Sequence, residues 1–478
     1  MHVKHIPRPA LLAMIFVLVL IEFLHTGMLV FAAAPTMGQI GASPEQYSLV
    51  TALYAALAVL AISQMSVLIQ RLGWRAYLLA SIFLFVAGSW ICAAGTTVAG
   101  FTAGRALMAL GGGAFMTCAR MLVNLIPPSP QRIVGVAAFG SALATGMAAA
   151  PWCAGSLVGH EAWGGIFLGL ALLAIVAAGL ALRWLPATAA TLDTGSSSFD
   201  PGDGLALGGG VFLLLYGLQR LAYDWHGERS TLFVLVLTGL GLLLLAFHGQ
   251  RRRSQPFLRL EMLRSRRYLT GLAIFTLCYA VLGVFNVVLP QLVQGPLGVA
   301  FEQAGQLQTA GLSAALPAFA ALLLVVRKRP HATKFYVTGF LLLAASGWRL
   351  SAIDPAAPAW TALTPWIGLF GAFVMLGMAT TAVHSFKDLQ HDNLLFSHAQ
   401  QLKNMLGQVG IALGAGCTAV VLQERAAMHA ARLIERAEAA PAVLARQGSL
   451  LAGIDLCAAL GWIGVAGAVV LAMQRRFD

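Results

Sequence analysis

Three ionisable residues sit inside long apolar runs, where a charged group is costly and each one is a candidate for function. Glu22 lies near the middle of the first run, with His25 and Thr26 following one helical turn later on nearly the same face. A carboxylate in a low-dielectric cavity can take and release protons near neutral pH, as a proton-coupled carrier requires. A protonated Glu22 bonded to a neighbouring helix is the structural alternative, and His25 could equally be a packing residue. Arg105 lies in the fourth run and stays charged at any relevant pH, so it must face a partner or a wet cavity. Gly111, Gly112 and Gly113 follow it and allow close helix contact. Pro151 sits inside the fifth run among Gly140, Gly146 and Gly155; a mid-helix proline removes a backbone hydrogen bond and bends the helix.

The elements that carry these residues are set by composition. Of 478 residues, 59% are hydrophobic and only 10% charged, against about 25% charged in a soluble domain. Mean hydropathy is +0.80. The apolar residues fall in blocks of about 20, the length that crosses a bilayer core as a helix, and not in the short alternating segments of a barrel. The expected class is an all-α, multi-pass membrane protein. Fourteen spans are expected, at 10–33, 46–68, 76–96, 98–124, 132–157, 163–184, 204–222, 230–248, 268–293, 303–326, 335–353, 360–385, 398–421 and 449–473. Lys4 and Arg8 before the first run resemble the start of a signal peptide. The run is too long for one and holds Glu22 and His25, so it reads as a retained span.

The charges orient the chain. With both termini cytoplasmic, the inner side holds Lys4, Arg8, Arg71, Arg75, Arg120, Arg132, Arg183, the arginines of 251–267, the basic residues of 327–334, Lys387, Lys403, Arg475 and Arg476. The outer side holds only Arg220, Arg229, Arg349, Arg425, Arg432, Arg436 and Arg446, and Arg105 alone falls inside a span. This is the positive-inside bias. It accounts for the net charge of +12 without nucleic acid. The organisation is 6 + 2 + 6. A first six-helix half covers 1–186. A segment at 187–267 carries a polar linker (187–203), two extra spans and a basic stretch. A second half, 268–478, includes an outer loop at 422–448. A six-helix unit used twice is the plan of transporters whose halves rock about a midplane site.

The outer loop is Ala-rich and polar, and Arg432 and Glu435 are spaced to pair on a helix. It reads as a solvated helical hairpin or, with Arg425, Arg432 and Glu435 as contacts, as a docking surface for a periplasmic adaptor protein. Six cysteines, Cys92, Cys118, Cys153, Cys278, Cys417 and Cys457, lie in apolar stretches without metal-ligand spacing and read as small core residues. No phosphate loop, metal cluster or nucleophile constellation is visible, so an enzyme is not expected, nor a cofactor.

In order and spacing these residues resemble the major facilitator superfamily, and within it the fourteen-spanner drug:proton antiporters of the EmrB/QacA type. That family places an acid nine residues before a proline in the first span; here Pro35 is preceded at that spacing by Thr26, and the acid stands one turn earlier at Glu22. Its loop motif after the second span is matched by Arg71, Gly73 and Arg75, with Gln70 where the family has Asp. In the fourth span Arg105 and Gly111 match, with Met108 and Ala109 replacing Gln and Gly. Gly146, Pro151 and Gly155 match the antiporter motif, and Trp163, Ile166 and Phe167 match the opening of the sixth span. The second half agrees through 256–264, Leu289-Pro290 with Gln294, Ala304-Gly305, Pro317, and Asn404 to Gly414.

The resemblance implies efflux of a small molecule from the cytoplasm or inner leaflet across a bacterial inner membrane, driven by inward proton flow. Amphipathic or aromatic compounds are the expected substrates, with multidrug resistance a corollary. A dedicated exporter of an organic acid, siderophore or other metabolite is the alternative, as is the inner-membrane member of a tripartite system. By analogy Glu22, His25 and Arg105 would handle the proton. Thr26, Met108 and Gly112 would line the substrate cavity. Gly146, Pro151 and Gly155 would help gate it, and Arg71, Gly73 and Arg75 would form a cytoplasmic latch. The surrounding partners are protons, membrane lipids and substrate.

Overall fold

The computed structural model describes residues 8–124, 126, 130–185, 201–224, 229–253, 256–328, 331–389, 391–435 and 440–474. Most of the expected linker, together with Lys4, Arg329, Arg436, Arg475 and Arg476, lies outside them. The described residues fold into helices throughout, with no strand among them. The first six spans are α1 (Arg8–Phe31) continued by α2 (Ala33–Ile40), α3 (Pro44–Leu72), α4 (Trp74–Ala94), α5 (Val98–Gly112) continued by α6 (Phe115–Asn124), α7 (Pro130–Gly159) and α8 (Gly165–Trp184). The two extra spans are α9 (Pro201–Asp224) and α10 (Arg229–Arg252). The last six are α11 (Arg266–Gln294), α12 (Phe301–Leu312) continued by α13 (Ala315–Lys328), α14 (Ala332–Ser351), α15 (Ala359–His384), α16 (Asn393–Ile434) and α17 (Pro441–Ala472).

Among the described residues, thirteen helices are long and apolar enough to cross a membrane. The remaining span, α14, is 20 residues long and carries Lys334 and Arg349 near its ends. It gains its place by packing between α15 and α17. Gly347 faces the Gly461 backbone and Gly464 faces that of Ala344, so closely that a Cβ on either glycine would strike the facing chain. Small residues at such crossings let two helices gain dispersion contact where lipid offers no hydrophobic drive.

Local chemistry sets the joints. Gly41 closes α2 in the left-handed region at φ 64°, and Ser43 then caps α3 reciprocally with Gln46, with Pro44 in the first turn. Gly73, at φ 83°, turns α3 into α4 with no intervening loop. Two expected spans are broken. The fourth breaks at Gly113, where a Cβ would come within 2.7 Å of Ala58 Cα; the helix bends so that α5 lies close against α3. The tenth breaks at Ser313, because Pro317 has no N–H for that carbonyl and Leu316 takes it instead at 3.0 Å.

The packing repeats between the two sets of six. Span α1 lies on α7 as α11 lies on α16, and α4 lies on α8 as α14 lies on α17. The sets meet along two seams, α7 with α12 and α3 with α16, and α9 lies across the second, touching both α3 and α16. Because spans alternate in direction, Gly41 and Gly159 mark one end of the bundle and Gly73 and Arg120 the other.

Two expectations about individual residues are corrected. Arg105 is not the one cation inside a span: Arg120 on α6 and Lys403 on α16 are buried as well. Arg120 lies in the last turns of α6 before a loop and Lys403 in the early turns of α16 after one, but packing covers both. Of the cysteines, Cys417 is exposed on the outer face of α16 and Cys153 is half-buried; the other four are buried. The 422–448 segment is helical, as the hairpin reading expects. Span α16 runs on unbroken to Ile434 and α17 begins at Pro441, so the two form a projecting hairpin. Gly448 lets them close, since a Cβ there would come within 2.7 Å of the Ala426 carbonyl.

Candidate functional site: a cavity between the two halves

A cavity of about 410 Å³ lies between α1, α3 and α5 on one side and α11 and α16 on the other, toward the Gly41 end. Its walls are apolar and aromatic, with Phe31, Tyr47, Tyr54 and Phe101 among them. Polar groups are few: Thr26, Thr51, Asn286, Gln291, Gln294 and Gln408, with Gln219 reaching in from the extra span α9. An apolar pocket with a few convergent polar groups is the usual form of a small-molecule site.

At the base of this cavity the candidate residues meet. Helical spacing puts Glu22, His25 and Thr26 on one face of α1, and all three point away from lipid. His25 is 2% exposed, Arg105 7% and Glu22 5%. The Arg105 guanidinium donates to His25 Nε2 and lies over the Tyr54 ring, 4.0 Å from its centre. His25 Nδ1 faces the Tyr54 hydroxyl at 3.4 Å, with the two ring centres 4.9 Å apart. Because arginine only donates, Nε2 must accept. His25 is therefore neutral with its proton on Nδ1, and protonating Nε2 would push Arg105 away. A desolvated cation over an aromatic face contributes about 2 kcal/mol, so Tyr54 supports the guanidinium where no carboxylate does.

Glu22 is not in that cluster. Its carboxylate accepts a 2.7 Å hydrogen bond from Gln408 Nε2 on α16, and it lines a narrow cleft of about 40 Å³ with Thr26, Tyr279, Gln308 and Pro151. No ion pair joins Glu22 to Arg105 among the described residues.

Below the cavity, toward the Gly73 end, α16 presents a polar stripe: Ser397, Gln401, Asn404 and Gln408, spaced three to four residues apart and so on one face. Gln401 donates to Ser66 Oγ at 2.6 Å and to the Ile62 carbonyl at 3.3 Å on α3. Asn404 donates to Thr117 Oγ1 at 2.7 Å on α6, and Ser397 faces Met121 Sδ at 3.9 Å. Arg120 donates to the Ala382 carbonyl at 3.0 Å, near the end of α15. These bonds join the halves at one end while the cavity lies open toward the other.

The remaining predicted residues take other places. Met108 and Gly112 line neither cavity; Met108 is fully buried and Gly112 packs on the Phe85 ring. Gly146 packs on Phe23 and the Leu20 carbonyl of α1. Gly155 meets Glu302 and Gly305 of α12, and a Cβ on Gly305 would collide with the Pro151 carbonyl. The three motif residues therefore hold α7 against α1 on one side and α12 on the other. Gly73 makes the α3–α4 turn, but among the described residues neither Arg71 nor Arg75 forms an ion pair or hydrogen bond to the second half; Ser66, one turn deeper, does so. In the hairpin Arg432 and Glu435 do not pair. Asp455 instead takes His429 at 2.9 Å and Arg425 at 3.4 Å. Tyr54, Asn286, Gln219 and Gln408 were missed as site residues. Lone amides within apolar runs were the available signal for Asn286 and Gln408.

A stack of apolar helices around a central, mostly apolar cavity defines a multi-pass membrane transporter. The family model for the Major Facilitator Superfamily matches residues 15–415, and the chain belongs to that family. Among curated relatives, the multidrug-resistance-type protein MdtD of Cronobacter sakazakii is 25% identical over 403 residues, covering 82% of each chain. The methyl viologen resistance protein SmvA of Salmonella typhimurium is 27% identical over 303 residues, 62% of this chain and 60% of its own. Among solved structures, an auto-inhibited peptide transporter of the POT family superposes with a TM-score of 0.64 at 16% identity, covering 98% of both chains. The human organic anion transporter MFSD10 does so with a TM-score of 0.59 at 14% identity, covering 97% of this chain and 99% of its own. These two likenesses are of fold.

Proposed function

We propose that this transporter exports small amphipathic or aromatic compounds across a bacterial inner membrane in exchange for protons. The observation that carries the reading is the buried Glu22 carboxylate on α1, bonded to Gln408 of the opposite half at the point where cavity gives way to seal. A proton taken up there neutralises the carboxylate and weakens a charge-assisted bond between the halves, which links protonation to their relative movement. The aromatic cavity wall supports the substrate class, as do the resistance-type names of MdtD and SmvA.

The orientation we infer puts both termini in the cytoplasm, by the positive-inside bias. The Gly41 end is then periplasmic, and the form described is open outward and sealed inward. In alternating access the α16 stripe releases Ser66 and Thr117 while the outer walls close. Arg105, His25 and Tyr54 respond to Glu22 through the shared helix α1. Protein in vesicles with an imposed pH gradient tests this: Glu22→Gln abolishes gradient-driven transport in folded protein, and unchanged transport would remove Glu22 as the carrier.

A second reading, a dedicated exporter of an organic acid, is favoured by one feature. Among the described residues, Arg105 is the sole arginine or lysine on the wall of the large cavity, and no carboxylate shares that wall. Competition between cationic dyes and aromatic acids separates the two. An adaptor protein on the α16–α17 hairpin would make this the inner-membrane part of a larger assembly; Arg425, Arg432 and Glu435 would lie at that contact.

A further inference from the structure

Two buried cations remain outside the mechanism. Arg120 on α6 is 6% exposed and Lys403 on α16 is 2% exposed. They come from opposite halves, and Arg120 lies near enough to act on Lys403 electrostatically. The contacts around them close a ring. Arg120 reaches the Ala382 carbonyl at 3.0 Å, and four residues on, the Phe386 ring lies 5.7 Å below the Lys403 ammonium. Lys403 also sits 4.6 Å from the Phe275 ring. Its neighbour Asn404 returns to Thr117, three residues before Arg120 on the same helix.

Neither cation has a carboxylate partner among the described residues. Arg120 Nε is buried and unbonded. So are both ring nitrogens of His384, both amide atoms of Gln400 and Oδ1 of Asn404. Native interiors rarely leave buried polar atoms unpaired, and two like charges buried without a counter-charge among the described residues are costlier still. The donors among these, the two cations with a ring N–H of His384 and the Gln400 amide N–H, are the groups that an anion with several acceptor oxygens satisfies; the amide oxygens of Gln400 and Asn404 are not. The planar guanidinium offers a fork that fits an oxyanion, the ammonium a point charge, and the Gln400 amide N–H, one turn before Lys403 on α16, a further donor.

We propose that Arg120 and Lys403 form an oxyanion site across the Gly73 end of the seam, distinct from the large cavity, taking a carboxylate, sulfate or phosphate group. Its source is either a free inorganic anion or the acidic group of a transported compound, held as the seam opens and Arg120 leaves Ala382. The inference does not depend on the direction of transport or on Glu22.

Equilibrium binding of radiolabelled sulfate and radiolabelled benzoate to the purified full chain tests it. Both are measured in an Arg105→Gln background, which removes the cation of the large cavity. We expect saturable binding at one site per chain, weakened at least tenfold by Arg120→Gln and by Lys403→Gln. Arg120→Lys and Lys403→Arg, which keep the charge, retain most of it and separate loss of charge from loss of fold. Sulfate binding that benzoate does not displace assigns the site to free anions; displacement by benzoate assigns it to acidic substrates. Binding of neither probe by folded protein, or binding left undiminished by both Arg120→Gln and Lys403→Gln, overturns the proposal.

Discussion

Gln408 of α16 donates a 2.7 Å hydrogen bond to Glu22 of α1, so a side chain of the second half holds the membrane carboxylate of the first. The bond lies between the cavity above and the polar stripe below. Any change in the charge of Glu22 is felt by both halves at once.

Glu22→Gln should therefore remove coupling without removing the pathway. In vesicles, uptake driven by a pH gradient falls to background, while exchange of labelled for unlabelled substrate without a gradient persists. Glu22→Asp, which keeps the acid one methylene shorter, restores part of the driven rate. A variant that loses exchange as well as coupling would place Glu22 in the substrate site instead.

Arg105 should set the charge preference of the cavity. Arg105→Gln weakens an aromatic acid and strengthens a cationic dye of similar size, each by about tenfold, the effect of about 1.4 kcal/mol. Arg105→Lys does not restore the original order, because an ammonium cannot donate in a plane to His25 Nε2 while stacking on Tyr54. Binding of both compounds to purified protein is the measurement, and equal effects on acid and cation would refute the assignment.

The seal at the Gly73 end rests on few bonds. Replacing Gln401 and Asn404 together by Leu removes the bonds to Ser66, Ile62 and Thr117. At about 1 kcal/mol each, their loss shifts the balance toward the opposite opening by tenfold or more. Spin-label distances across that end should lengthen in a growing fraction of molecules.

Gly305→Val drives a branched side chain into the Pro151 carbonyl. Overpacking of this kind costs about 1–3 kcal/mol, so the melting temperature falls and the α7–α12 seam is pushed apart. Transport should be lost even where the protein still reaches the membrane. Gly38→Val, where a Cβ meets nothing within 4 Å, is the control and should leave both readings near wild type.

Removing residues 424–446 from the α16–α17 hairpin should leave transport in vesicles intact, because its described ion pairs, Arg425 and His429 with Asp455, join α16 only to its hairpin partner α17. Its one described side-chain bond to the rest of the bundle is Arg446 to the Pro296 carbonyl at 2.8 Å. Loss of resistance in cells with transport retained in vesicles would reveal an adaptor; loss in both would make the hairpin part of the transporter.

Hydropathy alone determined the class, the number of spans to within one, and the isolation of Glu22, His25 and Arg105 in apolar surroundings. Helical period put Glu22 and His25 on one face. Those properties are local: they depend on the length of an apolar run and on 3.6 residues per turn. Partnership is not local. That Arg105 would choose His25 and Tyr54 while Glu22 chose Gln408, 386 residues away, depends on how α1, α5 and α16 cross. The same holds for Arg120 and Lys403, which count as inner-side charges in sequence and are buried by packing, Arg120 against Ala382 of the other half and Lys403 against the Phe275 and Phe386 rings of its own. The breaks at Gly113 and Ser313, the Gly155–Gly305 contact and the reach of α9 into the cavity were likewise decided by packing, since a glycine or amide records what it permits and not what it meets.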